Sequence, residues 1–433
     1  MTSQATINDK VMQGMSGINN GPLPLNMAME MCAKCGMCAS QCPVYYGSDD
    51  KSLNPAVRSD LVRKLYKRYG TPTGRLLGKL FRDEGFTVED VKKWANWFYQ
   101  CTGCRRCAQF CPMGIDNSVI TRKARALLNS LGYTPDRLIK VINTSLQTGN
   151  TDGANPLALV DTVKFLEEEM EEEHGIKIAI PVDKVGAKIF FVPPSGDVLV
   201  YAESLMGIAK IFHVTGEDWT LSSTAFDGAN YGLFTGDDEA MKKENLRYVD
   251  EAKRLQCQTM MMGECGHAHR VMKCIMEKSN WWGKLPFNIT NILQYTADKV
   301  EKGIIKLDKS KTPYPVTYHD PCNLAKSSGI VKEPRVIMNA ACSDFREMTP
   351  HGADNWCCGG GGGLSSMDST HEFRMTVSGK KKVEQIRASQ AKYVAAPCSN
   401  CKKQLLELVD YHKLDVEIIG VHGLVSRTII LES

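Results

Sequence analysis

Residues 32–43 read CAKCGMCASQCP, and residues 101–112 read CTGCRRCAQFCP. Both follow the pattern Cys-x2-Cys-x2-Cys-x3-Cys-Pro. A four-iron cubane needs four thiolates on tetrahedrally disposed irons, and a tight loop presents three of them from Cys-x2-Cys-x2-Cys. When the pattern occurs twice, the fourth cysteine reaches the other cluster. Cys32, Cys35, Cys38 and Cys111 are therefore assigned to one [4Fe–4S] cluster, and Cys101, Cys104, Cys107 and Cys42 to a second. Zinc also binds Cys-x2-Cys. A zinc site, however, explains neither the third and fourth cysteines nor Pro43 and Pro112. Ala33, Met37, Ala39, Thr102 and Ala108 inside the loops are expected to shield the clusters, whose potentials depend on solvent exclusion and N–H···S bonds.

Outward from these loops the sequence reads as helix. A basic stretch with helical periodicity runs through AVRSDLVRKLYKRYG and GRLLGKLFRDEG to VEDVKKWANWFYQ, and NSVITRKARALLNSLG follows the second loop. The basic helices at 56–82 are read first as a solvated face, with a partner or an anionic membrane surface as the alternative. Residues 26–150 then form a helical ferredoxin-type domain carrying both clusters, preceded by a flexible or partner-ordered polar arm at 1–25. The acidic run EEEMEEEHG at 167–175 reads as a solvated helical connector.

Past residue 176 the pattern changes. The short apolar runs KIFFVPP, QTMMMGE, PVTYHDP and KYVAAP alternate with helical stretches, as in βα units with parallel strands. They also repeat. The second copy carries YHDPCNLAK (318–326), NWCCGGGGG (355–363) and AAPCSNCKK (395–403). The first carries FVPPSGD (191–197), TAFDGANYG (224–232) and MGECGHAHR (262–270). Ser195 then aligns with Cys322, Phe226 and Asp227 with Cys357 and Cys358, and Cys265 with Cys398. Two pseudo-repeated α/β domains are expected, at 176–300 and 301–433.

The chain holds 17 cysteines in 433 residues, has no secretory signal, and clusters most of them tightly, which in a reducing compartment indicates metal ligation rather than disulfides. Cys322, Cys357, Cys358, Cys398 and Cys401 fall in the second repeat, where the glycines at 359–363 let backbone approach sulfur or substrate. His319 and Lys326 flank Cys322 and are candidate proton donors to a leaving thiolate. Cys265, His267 and His269 mark the corresponding place in the first repeat, and His267 is carried as a site candidate. Cys257, Cys274, Cys342 and the Met260–Met262 stripe are read as core.

The pattern of Cys, Cys-Cys-Gly and Cys-x-x-Cys, with two ferredoxin loops before it, resembles the cysteine-rich "CCG" subunits of heterodisulfide reductases. Within them it is most similar to the HdrD-like subfamily of sulfate-reducer membrane complexes that includes the DsrK and TmcB subunits. The resemblance implies an α+β multidomain fold, with a helical two-[4Fe–4S] ferredoxin domain and two pseudo-repeated CCG domains. It implies a third, special [4Fe–4S] centre on the five C-terminal cysteines, which reduces or forms a disulfide or trisulfide, and so an oxidoreductase acting on sulfur groups. Ser195, Phe226 and Asp227 stand where a second such centre would need cysteines. The implied partners are an integral-membrane cytochrome b-type subunit and a small dithiol protein of DsrC type. The implied location is peripheral, on the cytoplasmic face of the inner membrane. The alternative is the iron–sulfur relay subunit of a flavin-linked glycolate, lactate or glycerol-3-phosphate dehydrogenase.

Composition limits the rest. A net charge of +4 without a concentrated basic patch argues against a nucleic-acid partner. No apolar run is long enough for a direct transmembrane segment. No flavin or nicotinamide fingerprint is present, so electrons must enter and leave through partners.

Overall fold

A computed structural model describes residues 4–18, 20, 25–48, 50–80, 85–277 and 283–431. Residues 1–3, 19 and 21–24 of the expected arm, and 81–84 of the basic stretch, lie outside the described residues. The chain forms two compact units. One comprises 1–140 with 231–241 and 359–381. The other comprises 141–230, 242–358 and 382–433.

The first unit is helical, and its helices begin where side chains can satisfy free backbone amides. Pro55–Leu65 starts on Asn54, which accepts from Ala56 N at 2.9 Å, with Pro55 at the position that tolerates it. Val88–Tyr99 starts on a capping box between Thr87 and Asp90. Val91, Trp94 and Phe98 bury one of its faces. Asn117–Ser130 starts on Asp116, which accepts from Ser118 N and Val119 N. Gln4–Ser16 lies in the stretch expected to be an arm, yet it is a helix with Ile7, Val11 and Met15 buried. Their spacing of four residues places them on one face. The basic face is only partly solvated: Arg58 and Arg63 are 2% and 5% exposed.

The second unit contains two four-stranded sheets, parallel throughout. The first uses β1 (Ile189–Val192), β2 (Trp219–Thr220), β3 (Thr259–Met262) and β4 (Asn288–Asn291) in the order β2-β1-β3-β4. The second uses β5 (Pro315–Tyr318), β6 (Asp344–Arg346), β7 (Tyr393–Ala395) and β8 (Glu417–Ile419) in the order β6-β5-β7-β8. One topology is therefore built twice, as the internal repeat predicts. The four central strands are the four apolar runs seen in the sequence. The edge strands were not legible, because half-exposed strands such as Asp344–Arg346 carry charges and no apolar run. The supposed connector belongs to Pro156–His174, where Leu159, Val163, Leu166 and Met170 pack into the core and only the other face is acidic.

The repeats meet through Glu203–Thr215 and Val421–Thr428, which cross at Gly207. A Cβ on Gly207 would collide with the carbonyl of His422. Gly207→Ala is expected to cost about 1–3 kcal/mol by overpacking, read as a lower thermal midpoint with secondary structure retained.

Among the described residues, no helix is long and apolar enough to cross a membrane.

Candidate iron–sulfur sites

The two N-terminal loops share one backbone shape. Lys34 and Gly36 in the first, and Gly103 and Arg105 in the second, take left-handed conformations with φ of 52°, 80°, 63° and 62°. These are the same two positions in each motif, the glycine changing places. Left-handed lysine and arginine are uncommon and are tolerated where the loop shape is imposed. The shape turns backbone amides toward sulfur: Gly103 N donates to Cys101 Sγ at 3.4 Å.

The thiols gather across the motifs. Cys32, Cys35 and Cys38 line a small cavity with Cys111, together with Met37, Pro112 and Met113. Cys42, Cys101, Cys104 and Cys107 instead act together on the buried guanidinium of Arg58, which they hold above its usual range despite the cost of burial. Arg58 Nη1 donates to Trp97 O at 3.2 Å, while its buried Nε has no partner among the described residues. Both thiol sets have the number and donor chemistry of a cubane site. The cation with a spare donor suits the surplus negative charge of four thiolates and sulfide.

Arg125 braces the second loop. It donates to Phe98 O, Phe234 O and Gly362 O, and to Cys101 O at 2.7 Å. The glycine run after Cys358 serves close packing here, since a Cβ on Gly361 or Gly362 would collide with the backbone of Thr102 or Cys101. Arg105 reaches Asp116 at 2.6 Å and ties the same loop to the next helix.

In the second unit the cysteines follow the strand ends. Cys265 and Cys398 each lie three residues past the ends of β3 and β7. Cys322 follows β5 through His319, Asp320 and Pro321. Tyr318 pairs with Ala395, so the loops after β5 and β7 leave their sheet at one level. The strand order reverses there, which opens a crevice at the carboxyl ends.

Cys358 Sγ lies 3.6 Å from Cys401 Sγ. Hydrogen bonds from Cys357 and Cys401 pull the Cys358 thiol well below its usual range, and bonds from Cys265 and Cys401 do the same for Cys398. Ligand atoms of His319, Cys358 and Cys401 lie within 4.8 Å of one another. His319 is fully buried beside Cys358, and burial lowers its pKa. This buried set of two thiols and an imidazole has the donor chemistry of a metal or iron–sulfur group.

Lys326 Nζ lies 3.9 Å from Cys322 Sγ and donates to Asn355 O. Asn355 in turn donates to Asp320 O, and Arg335 clamps the Asp320 carboxylate at 2.7 Å. His267 accepts at Nε2 from Asn230 N, so Nδ1 carries the proton that faces Cys265 Sγ at 3.1 Å. His269 instead bonds Ser328 Oγ at 2.9 Å. Cys257 and Cys342 are buried away from these contacts, as expected of core thiols.

Sequence reasoning missed two cations. Arg58 stands in the basic stretch read as solvated. Lys382 stands in a KKK run but is 1% exposed, with burial pushing its pKa down to about 8 and Cys322 and Cys358 among its neighbours. Its one sequence signal is its place four residues before buried Ile386 on the same helix.

Comparison with known proteins follows the same division. Residues 28–115 match the family "4Fe-4S dicluster domain", and residues 316–406 match "Cysteine-rich domain" (CCG). Subunit 2 of an Hdr-like menaquinol oxidoreductase, an iron–sulfur subunit from Archaeoglobus fulgidus, is 29% identical over 93% of this chain and 80% of its own length. The HdrD subunit of the dihydromethanophenazine:CoB–CoM heterodisulfide reductase of Methanosarcina acetivorans is 27% identical over 93% of this chain and 94% of its own. The chain is similar to HdrD-like iron–sulfur subunits. The chain keeps both ferredoxin loops and one full set of CCG cysteines.

Proposed function

We propose that this HdrD-like subunit passes electrons through two ferredoxin-type clusters to a third [4Fe–4S] centre on Cys322, Cys357, Cys358, Cys398 and Cys401, which cleaves or forms a disulfide. The observation that carries it is the buried gathering of Cys358, Cys401 and His319 at the strand ends. Cleaving one disulfide to two thiols takes two electrons and two protons. A cluster held by these cysteines would supply the electrons one at a time. The chain's own residues do the rest. Lys326 Nζ stands beside Cys322 Sγ, and the Lys382 ammonium has Cys322 and Cys358 as neighbours, so both stabilise thiolate charge there. His319, neutral because buried, offers a nitrogen to hold a hydrogen bond at sulfur. His267 Nδ1 holds its proton toward Cys265 at the adjoining thiols. Electron entry from a membrane cytochrome b-type subunit, a small dithiol protein of DsrC type as substrate, and a place on the cytoplasmic face of the inner membrane complete the reading. They rest on the resemblance.

The test supplies anaerobic, iron-replete protein with a reduced one-electron viologen and a small-molecule or dithiol-protein disulfide. The expected result is disulfide-dependent dye oxidation, with two dye molecules oxidised per disulfide. No turnover with any disulfide, and an electron paramagnetic resonance spectrum unchanged by thiols, would reject it. Efficient electron uptake from a flavoprotein hydroxyacid dehydrogenase would then favour the relay alternative.

A further inference from the structure

We propose that Arg58 is a potential-setting residue of the second ferredoxin cluster, its buried guanidinium making that cluster easier to reduce. This rests on the assignment of Cys42, Cys101, Cys104 and Cys107 to one cluster.

The two thiol sets differ in surroundings. Cys35 of the first set is exposed, whereas Cys42 and Cys104 of the second are buried. Adding an electron to a four-thiolate cluster makes it one unit more negative with no proton taken up. Burial alone therefore disfavours reduction of the second cluster, because low-dielectric surroundings penalise the added charge. A cation in the same buried space acts in the opposite sense and is barely screened by salt.

Arg58 has that position. It is 2% exposed, and its side chain donates from Nη1 to Trp97 O at 3.2 Å. Its Nε is buried without a partner among the described residues. Trp97, whose carbonyl accepts from Arg58, packs against the hydrophobic cluster that holds Cys42, and all four thiols of the set act on the charge of Arg58. A guanidinium stays charged throughout the accessible pH range, so its effect does not titrate. Arg125 adds a second cation near Cys101, but its donors are occupied by carbonyls. Among the described residues, Cys38 of the first set has no such cation among the main groups acting on it. The groups acting on Cys38 are Cys32, Cys111 and two backbone amides, and exposed Lys34 is drawn to Asp60 at 3.2 Å. The basic stretch around residue 58 thus contributes a charge to the interior, where the sequence alone suggests a solvated face.

The experiment is a potentiometric paramagnetic-resonance titration of the whole iron-replete protein, with Cys35→Ser identifying the first cluster's signal. In Arg58→Gln the reduced-to-oxidised ratio of the second cluster at a fixed potential is expected to fall at least tenfold, a downward shift of about 59 mV or more for one electron. The first cluster should not move. Arg58→Lys, which keeps the charge, should hold the ratio nearer the wild type. An unmoved second cluster in Arg58→Gln with full iron overturns the proposal, and so does an equal fall in Arg58→Lys. Should Arg58→Gln fail to hold iron, wild-type protein carrying guanidino-15N arginine decides: a weak 15N coupling at the reduced second cluster, lost in Arg58→Lys, is required. Its absence overturns the proposal. A wrong ligand assignment would show separately, as Cys42→Ser abolishing the first cluster's signal instead of the second.

Discussion

Replacing Cys357 and Cys358 together by serine is expected to lower iron from about twelve to about eight atoms per chain, with acid-labile sulfide falling in step. Disulfide-dependent electron transfer should drop to background, while the two ferredoxin signals persist. Serine matches cysteine in shape, and both positions are at most 3% exposed with no disulfide to lose, so circular dichroism should be unchanged. The loss follows from the sulfur arrangement. Cys358 joins Cys357 to Cys401, and Cys401 joins Cys398, so removing the adjacent pair takes away the thiolates on one side of the set. Hydroxyl oxygen is a poor substitute for thiolate on a soft iron–sulfur group. Cys257→Ser, outside the set, should leave iron unchanged. About eight atoms in both the wild type and the double variant would remove the third centre, leaving a relay with two clusters.

Lys402→Met is expected to destabilise the second unit by about 3–5 kcal/mol, because it breaks a buried ion pair from one side. Lys402 is 1% exposed and sits directly after Cys401. Its Nζ lies 2.6 Å from Asp197 Oδ1, 3.1 Å from Ser204 Oγ and 3.6 Å from Glu264 Oε2. Glu264 holds the other side, with Oε1 accepting from His422 N at 2.9 Å and lying 2.6 Å from His422 Nδ1. The network links the segments that follow β1, β3, β7 and β8, so it clamps one repeat to the other. Without Lys402, two buried carboxylates face each other. Burial already pushes Asp197 up to about 7, against the pull of Lys402. A carboxyl with a raised native pKa contributes stability below its unfolded pKa and loses it as pH rises through the native value. The deficit of Lys402→Met, measured by denaturant unfolding, should therefore be smaller at about pH 5 than at about pH 8, and an unchanged unfolding midpoint at both would refute the clamp.

Several of these features were legible in the sequence. The two cysteine loops and the four central strands could be read, because ligand spacing and strands buried on both faces leave local signals. Repetition supplied the second unit's doubled topology, and Cys265 follows β3 by the same three residues as Cys398 follows β7. The short edge strands left no signal, since two to four residues contain too little apolar pattern.

Tertiary structure decided what long-range packing decides. It took Arg58 and Lys382 out of basic runs and buried them among thiols, and it brought Cys265 and His267 of the first repeat to Cys398 of the second. It also assembled Asp197, Glu264, Lys402 and His422 into one buried clamp. The sequence by itself determines which groups can bind iron, because that depends on residue type and local spacing. Which charges surround those groups depends on contacts between residues far apart in the chain, where the dielectric and the available partners are properties of the fold.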